Sequence, residues 1–246
     1  MSLSKNEIKF LKSLHLKKKR DLEKLFVVEG VKMVHEALES MHFDVQGIYH
    51  LEGYQHPKMS EVASHQVSIT ELERISGLKS PNQVLAVIHQ RKNTALNTDT
   101  DKLILLLDNL KDPGNLGTII RTADWFGIDQ IVCSPETVEM YNPKVVQASM
   151  GAIFRISLCY EDLVKSIRSL QDQSFKVYGA EMHGENAFTT KFPVKSAIVM
   201  GSESHGLSEE ISELVSSISI PRFGGSESLN VAMATGILTA QYKMQH

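Results

Sequence analysis

The chain has 246 residues, of which 42% are hydrophobic and 22% are charged, and its formal net charge is −3 at pH 7. This length and composition are typical of an ordinary globular protein with one large or two modest domains. No apolar run approaches the roughly 20 residues that cross a bilayer, and no signal-peptide pattern opens the sequence. We therefore expect a cytoplasmic protein with no membrane partner.

The cysteines and histidines form no metal-binding pattern. Cys133 and Cys159 are far apart in sequence, which suits free buried thiols in a reducing compartment. His183 and His205 have no partner at a metal-ligand spacing, so we expect no metal.

The N-terminal segment concentrates positive charge, although the whole chain is slightly acidic. Between positions 5 and 24, eight residues are basic and three are acidic. The basic residues are Lys5, Lys9, Lys12, Lys17, Lys18, Lys19, Arg20 and Lys24. Such a cluster can neutralise several phosphates of a nucleic acid. The same pattern is typical of the solvated face of a helix, so both interpretations stay open.

Up to residue 90, the hydrophobic pattern predicts short strands and helices. The predicted strands are 26–28, 45–50 and 84–89, and the predicted helices are 31–41 and 70–75. The tract that follows, RKNTALNTDTD, is polar and is typical of a linker. We therefore predict an N-terminal domain of residues 1–92, a linker of residues 93–101 and a C-terminal domain of residues 102–246.

After the linker, strand and helix patterns alternate along the chain. The predicted strands are 103–107, 130–133, 156–160, 176–180 and 197–200. The predicted helices are 116–126, 142–150, 163–171, 209–215 and 229–242. This alternation predicts an α/β domain with a parallel sheet that helices cover on both faces.

The first candidate loop, DPGNLG at positions 112–117, joins a buried strand to a helix. It has neither the glycine pattern of a dinucleotide-binding loop nor the Lys-Ser/Thr of a Walker A loop. A plain turn with Asn115 as the helix N-cap explains its composition. Arg121 lies one turn inside the helix, where a parallel sheet opens its ligand crevice, so it is either a surface charge or a catalytic group.

Two further loops also begin where a strand ends. In IVMGSESHGL, Gly201 allows a ligand to approach the backbone closely, and Glu203 lies at the carboxyl end of the sheet. In IPRFGGSESLN, Ser228 and Asn230 precede a helix, a good place for a cap or an anion. Because all three loops leave the ends of strands, we expect them to converge on one crevice.

These residues together resemble the three signature motifs of the SpoU (TrmH-like) family of RNA ribose 2′-O-methyltransferases, in the SPOUT class. The first motif, N-x-G-x-x-x-R-x-A, comprises Asn115, Gly117, Arg121 and Ala123. The second, G-x-E-x-x-G-L, comprises Gly201, Glu203, Gly206 and Leu207. The third, I-P-x-x-G-x-x-x-S-L-N-V, comprises Ile220, Pro221, Gly224, Ser228, Leu229, Asn230 and Val231.

The resemblance implies a deep trefoil knot in the C-terminal domain, a homodimer and S-adenosyl-L-methionine as cofactor. It also implies that the N-terminal part is a small ribosomal-protein-like α/β domain that binds the RNA substrate. The catalytic residues that it implies are Asn115, Arg121, Glu203, Ser228 and Asn230. The cofactor-binding residues that it implies are Met200, Gly201, Gly206, Ile220, Pro221 and Leu229.

The implied reaction is an in-line methyl transfer, for which a ribose 2′-hydroxyl must lose its proton. Because arginine side chains stay protonated in proteins, we expect Arg121 to stabilise the developing alkoxide or the adjacent phosphate. Action of Arg121 as the base is the alternative. Glu203 either orients Arg121 or takes part in proton transfer, while Asn115 and Asn230 hold the geometry.

Other functions stay open at this point. A non-catalytic RNA-binding protein of ribosome assembly would share the basic N-terminus, but it would not need Arg121, Glu203 and Asn230 together. A Rossmann-type nucleotide enzyme is disfavoured because the sequence has no G-x-G-x-x-G. Among RNA substrates, the extra N-terminal domain favours ribosomal RNA, and transfer RNA is the alternative.

Overall fold

The computed structural model describes residues 3–100 and 102–246, which form two compact units. The described residues up to Lys92 form the first unit together with Met140–Arg155, and those of Asn93–Glu139 and Ile156–His246 form the second. Residues 1–2 of the predicted N-terminal domain and residue 101 of the predicted linker lie outside the described residues. No helix among the described residues is long and apolar enough to span a bilayer.

The first unit is built on a four-stranded sheet with the order β1-β4-β2-β3. Its strands are β1 (Leu25–Glu29), β2 (Val45–His50), β3 (Ala63–Gln66) and β4 (Val84–His89). Strand β4 pairs antiparallel with both β1 and β2, and β3 pairs parallel with β2. Its helices are α1 (Lys5–Ser13), α2 (Lys17–Glu23), α3 (Val31–Glu39), α4 (Ile69–Ile75) and α6 (Pro143–Ser149).

Helix α6 packs with the first unit, although the predicted C-terminal domain, residues 102–246, includes it in sequence. Its Val145 and Val146 are buried, and α6 lies against β1. Just before α6, the ring of Tyr141 lies 4.6 Å from the ring of Phe26, centroid to centroid. Apolar burial therefore ties this segment to the N-terminal sheet.

The predicted strands of the first unit are confirmed, and strand β3 is an addition. All four residues of β3 are exposed, so no apolar alternation marks it in the sequence. Helix α3 ends at Glu39, before the predicted end at residue 41.

Two basic helices open the first unit, and they carry most of the N-terminal charge on the surface. Seven of the eight basic residues between positions 5 and 24 are exposed. Arg20 is the exception, because it is 2% exposed and its Nη1 donates to the carbonyl oxygen of Leu14 at 3.0 Å. Arg20 therefore holds the fold and is not available to a phosphate.

The second unit contains a six-stranded sheet with the order β10-β8-β9-β5-β6-β7, and every pairing in it is parallel. Its strands are β5 (Ile104–Leu107), β6 (Gln130–Cys133), β7 (Ser157–Tyr160), β8 (Lys176–Asn186), β9 (Ser196–Met200) and β10 (Ser216–Ser219). Its helices are α5 (Pro113–Trp125), α7 (Leu163–Asp172), α8 (Glu209–Ser212) and α9 (Val231–Lys243). The predicted α/β class with a parallel sheet is confirmed.

Strand β8 and helix α8 end at positions that differ from the sequence pattern. Strand β8 continues to Asn186, beyond its apolar part, because its exposed end pairs with the unpredicted strand β10. Helix α8 is a single turn that ends at Ser212, well before the predicted end at residue 215.

The central strands β5 and β9 are neighbours, and Leu107 pairs with Met200 at their carboxyl ends. Both strands are fully buried, and their side chains share an apolar cluster that includes Leu106, Val132 and Val199. The loops that follow β5 and β9 therefore leave the sheet side by side, as expected at the ligand-binding edge of a parallel sheet.

Candidate active site

Helix α5 begins earlier than the sequence predicts, and this changes what Asn115 can do. Its N-cap is Asp112, whose Oδ1 accepts the backbone N–H of Asn115 at 2.8 Å, and Pro113 occupies the first turn. The interpretation of Asn115 as the cap is therefore wrong. Because Asp112 satisfies the helix end, the Asn115 side chain is free to bond elsewhere.

The side chains of Asn115, Glu203 and Asn230 form one hydrogen-bonded chain, which we call the carboxamide relay. The Nδ2 of Asn115 donates to Oε1 of Glu203. The Nδ2 of Asn230 donates to Oδ1 of Asn115 at 2.9 Å. One residue from each of the three sequence motifs thus meets at one place, as the convergence of the loops predicts.

The direction of the relay is set by helix α9. The Oδ1 of Asn230 accepts the backbone N–H groups of Ala232 at 3.0 Å and Met233 at 3.2 Å, so Asn230 is the N-cap. Its amide nitrogen must then face Asn115 as a donor. Asn115 in turn presents its own amide nitrogen to Glu203, so the Glu203 carboxylate is held as an acceptor.

Ser228 does not cap helix α9. It is exposed, two residues before the Asn230 cap, and it makes no hydrogen bond to the relay within the described residues. The cap interpretation of Ser228 is therefore wrong, and the side-chain oxygen of Asn230 satisfies that helix end in its place.

The loop that carries Glu203, residues 201–208, is closed by hydrogen bonds within its own backbone, and we call it the closed loop. Ser202 and Gly206 exchange two backbone hydrogen bonds of 2.9 and 3.0 Å, and Gly206 has a φ of 70°. A Cβ at Gly201 would lie 2.2 Å from the carbonyl carbon of Gly206. Glycine is needed at Gly201 because the loop packs back on it, and at Gly206 because of the left-handed backbone.

The loop between β10 and α9, residues 220–230, is not closed by its own backbone, and we call it the open loop. The backbone N–H groups of residues 222–230 donate to no acceptor in the part of the chain that the structure describes. Leu229 is half exposed, and Ile220 and Pro221 are partly exposed. Free backbone donors beside apolar side chains fit a ligand that combines an adenine ring with polar groups, such as S-adenosylmethionine.

Arg121 lies on α5 with its side chain exposed, and it bonds to no member of the relay among the described residues. Met200 is buried at the end of β9, where its carbonyl oxygen accepts the N–H of Asp108 at 2.8 Å. The structure thus joins Asn115, Glu203 and Asn230, while Arg121 and Ser228 stay open toward solvent.

Asp108, which follows β5 directly, is not part of any of the three sequence motifs. Asp108 is 5% exposed, and its Oδ2 accepts the backbone N–H of Ser208 at 2.7 Å. The signal that could have identified it is a carboxylate placed immediately after a fully apolar strand. Such a residue lies at the ligand-binding edge of the sheet.

No group of three or more potential metal ligands occurs among residues 3–100 and 102–246. The Nδ1 of His205 pairs with Oγ of Ser204 at 2.8 Å. Both cysteines are free and buried, as expected. Burial raises the pKa of the Cys159 thiol to about 12, and burial also raises the pKa of Cys133.

Comparison with protein families and known structures defines the class of this protein. Residues 102–240 match the SpoU rRNA Methylase family, and residues 5–86 match the MRM3-like substrate binding domain. The first match covers more than half of the chain and contains all three motifs. This is an RNA methyltransferase by class. The chain belongs to the SpoU rRNA methylase family.

Similar proteins extend over nearly the whole chain. The 23S rRNA (guanosine(2553)-2′-O)-methyltransferase RlmP of Bacillus subtilis is 31% identical over 241 residues, which are 96% of this chain and 96% of that protein. A TrmH-family structure from Porphyromonas gingivalis is 34% identical, covers 99% of both chains and has a TM-score of 0.89. The AdoMet-bound rRNA methyltransferase of Sinorhizobium meliloti is 26% identical, covers 99% of this chain and 97% of that one, and has a TM-score of 0.88.

Proposed function

We propose that this protein transfers a methyl group from S-adenosyl-L-methionine to the ribose 2′-hydroxyl of a guanosine in 23S ribosomal RNA. The observation that carries the proposal is the carboxamide relay, which joins one polar residue from each motif of the family at the carboxyl edge of the sheet. A protein that only bound RNA would have no need of this arrangement.

The choice of ribosomal over transfer RNA is supported by the extent of similarity. The relative named for 23S rRNA matches 96% of this chain, including its N-terminal part. A structure described for 2′-OH methylation of C/U34 on tRNA matches 58% of this chain. RlmB of Neisseria meningitidis, a second relative named for guanosine 2′-O-methylation of 23S rRNA, is 30% identical over 61% of the chain, so its name rather than its coverage supports the choice.

In this proposal the chain's own residues orient and activate the ribose. S-adenosylmethionine, when bound, supplies the electrophilic methyl group. Arg121 stabilises the negative charge that develops on the 2′-oxygen or lies on the neighbouring phosphate, since a guanidinium forms strong bonds to oxyanions. Glu203, fixed by Asn115, orients Arg121 or accepts the proton of the hydroxyl, and Ser228 contacts the substrate from the open loop.

We expect the cofactor to be bound by residues in and next to the two loops that carry Glu203 and Asn230. We assign this role to Met200 at the end of β9, to Gly201 and Gly206 of the closed loop, and to Ile220, Pro221 and Leu229 of the open loop. The open loop supports the assignment through its unused backbone donors and partly exposed apolar side chains. Such groups suit the polar and aromatic parts of the cofactor.

A homodimer is part of the proposal. Four large apolar side chains on α5, on α9 and in the loop before α9 are exposed, at 85% for Trp125, 91% for Phe223, 59% for Met233 and 50% for Leu229. Large apolar side chains that stay exposed favour a surface that a partner covers. A second subunit there would also approach Arg121, which lies on α5.

The remaining parts of the proposal rest on the family and the substrate. The N-terminal domain, placed at residues 1–92, binds RNA through the seven exposed basic residues between positions 5 and 24, and residues 93–101 link it to the catalytic domain at 102–246. Membership of the family supports a trefoil knot in that catalytic domain. Action on ribosomal RNA supports a location in the cytoplasm.

The test is methyl incorporation into defined RNA. Purified protein is incubated with tritiated S-adenosylmethionine and unmodified 23S rRNA transcripts, and the labelled RNA is digested to nucleosides. We expect the label in 2′-O-methylguanosine. Label in a base-methylated nucleoside, or none in any RNA, would refute the proposed activity.

A further inference from the structure

The buried carboxylate of Asp108 is not used by the proposed mechanism, and it bonds directly to the loop that carries Glu203. Its Oδ2 accepts the backbone N–H of Ser208 at 2.7 Å. Its own N–H donates to the carbonyl oxygen of Met200 at 2.8 Å. One residue at the end of β5 therefore contacts the chain on both sides of the closed loop.

Apart from Asp108, side chains attach the closed loop to the second unit: Leu207 packs against the apolar cluster of the sheet, and Glu203 accepts from Asn115 on α5. The exchanged bonds between Ser202 and Gly206 hold the loop to itself, and the bond to the Ser202 hydroxyl from the His205 N–H does the same. Ser208 caps helix α8 with no side-chain bond, and that helix is a single turn. The bond between Asp108 and Ser208 therefore attaches the backbone at the end of this loop directly to the residue that follows β5.

The loop after β5 is itself rigid, so Asp108 is a firm attachment point. The Oγ of Ser134 accepts the Asn109 N–H at 2.9 Å, and the hydroxyl of Thr137 donates to the Leu107 carbonyl oxygen at 3.1 Å. Both hydroxyls are buried and they also contact each other at 3.1 Å. A satisfied buried network of this kind fixes backbone geometry.

We propose that Asp108 is a positioning residue that sets the affinity for S-adenosylmethionine by holding the loop Gly201–Ser208 in its ligand-binding shape. The inference rests on the proposed function, in which the backbone of this loop contacts the cofactor. A buried carboxylate that accepts a backbone N–H forms a strong, charge-assisted bond. Without that bond, part of the binding energy is spent on ordering the loop.

The experiment measures the dissociation constant of S-adenosylmethionine by isothermal titration, the thermal midpoint and kcat at saturating cofactor. Asp108→Ala removes the acceptor, and we expect Kd to rise about tenfold while kcat stays within about threefold of the normal value. Asp108→Asn keeps an acceptor oxygen without the charge, and we expect an increase of about threefold.

A variant in the first unit serves as the control. Glu29→Gln alters another buried carboxylate, which accepts the N–H of Gly77 at 2.8 Å, and we expect it to leave Kd unchanged. A lowered thermal midpoint with an unchanged Kd in Asp108→Ala would mean a merely structural role and would overturn the inference.

If Asp108→Ala does not fold, Asp108→Asn decides the question alone. A threefold weaker cofactor affinity supports the inference, and a Kd equal to that of the wild type contradicts it. The proposed function fails in a different way, because the unaltered protein would then not bind S-adenosylmethionine at all.

Discussion

The two compact units differ in the kind of polar group that they present to solvent. The first unit carries exposed basic side chains, with three consecutive lysines at the start of α2, of which Lys19 lies 4.0 Å from the Glu23 carboxylate. The second unit carries a hydrogen-bonded set in which Asn230 orients Asn115, and Asn115 orients Glu203. Mobile point charges suit binding to a polyanion, whereas an oriented set suits chemistry at one atom. Changes in the first unit should therefore alter RNA affinity, and changes in the second should alter turnover.

The largest expected effect is in the second unit, at Arg121. We expect Arg121→Ala to lower kcat by about a thousandfold or more, because removing a group that stabilises developing negative charge has effects of this order. The affinity for S-adenosylmethionine should stay within severalfold, as isothermal titration beside a tritiated-methyl assay would measure. Arg168→Ala, an exposed arginine on α7, is the matched control. Near-normal turnover of Arg121→Ala would remove Arg121 from the mechanism.

A smaller effect is expected from breaking the relay while keeping the helix cap. Asn230→Asp still accepts the N–H groups of Ala232 and Met233, but it cannot donate to Asn115. We expect kcat to fall about 10–100-fold, the value of a lost hydrogen bond in a polar network, with an unchanged thermal midpoint. Asn142→Asp, at the N-cap of α6, provides the control for the same change elsewhere. Equal turnover in both variants would show that the relay has no part in the reaction.

Removal of positive charge in the first unit should weaken the affinity for RNA and leave the rate of methyl transfer unchanged. We expect replacement of Lys17, Lys18 and Lys19 by serine to weaken affinity for 23S rRNA about tenfold at moderate salt. The slope of log affinity against log salt should fall by about two to three, because fewer counterions are released. A variant with Lys165, Lys176 and Lys191 replaced by serine carries the same change in net charge in the second unit. Identical salt slopes for the two triple variants would contradict a special role for α2.

The smallest effect is expected at the two thiols of the second unit. Because burial raises the pKa of Cys159 to about 12 and also raises the pKa of Cys133, little thiolate exists at pH 8. We expect no reaction of the folded protein with a thiol reagent, and reaction of both cysteines in guanidinium chloride. Rapid labelling of an active-site variant would reveal an unfolded second unit, so this assay separates lost chemistry from lost structure.

The sequence predicts the parallel sheet well because its strands are continuous apolar runs. Strands β3 and β10 escape prediction because exposed and half-exposed residues such as Ser64 and Ser217 form no apolar alternation. Pairing with a neighbouring strand, rather than burial of side chains, creates these two elements. The sequence pattern also groups Arg20 with the surface charges, because no local pattern shows that its side chain is buried and donates to the Leu14 carbonyl oxygen.

The candidate site could be predicted as a meeting of three loops, but its hydrogen bonds could not. The pattern D-P-G-N allows a cap at either Asp112 or Asn115, and only the position of the first helical turn decides between them. That choice frees Asn115 for the relay. The attachment of Ser208 to Asp108 spans 100 residues of sequence, so no local pattern predicts it.

The most direct test of the central claim compares ribose methylation in cells. Total ribosomal RNA from a strain that lacks this protein would be mapped for 2′-O-methyl groups, beside strains complemented with the unaltered protein or with Arg121→Ala. We predict that one guanosine of 23S rRNA loses its methyl group in the deletion strain, regains it with the unaltered protein and does not regain it with the variant. An unchanged methylation map in the deletion strain, or full restoration by Arg121→Ala, would contradict the proposed function.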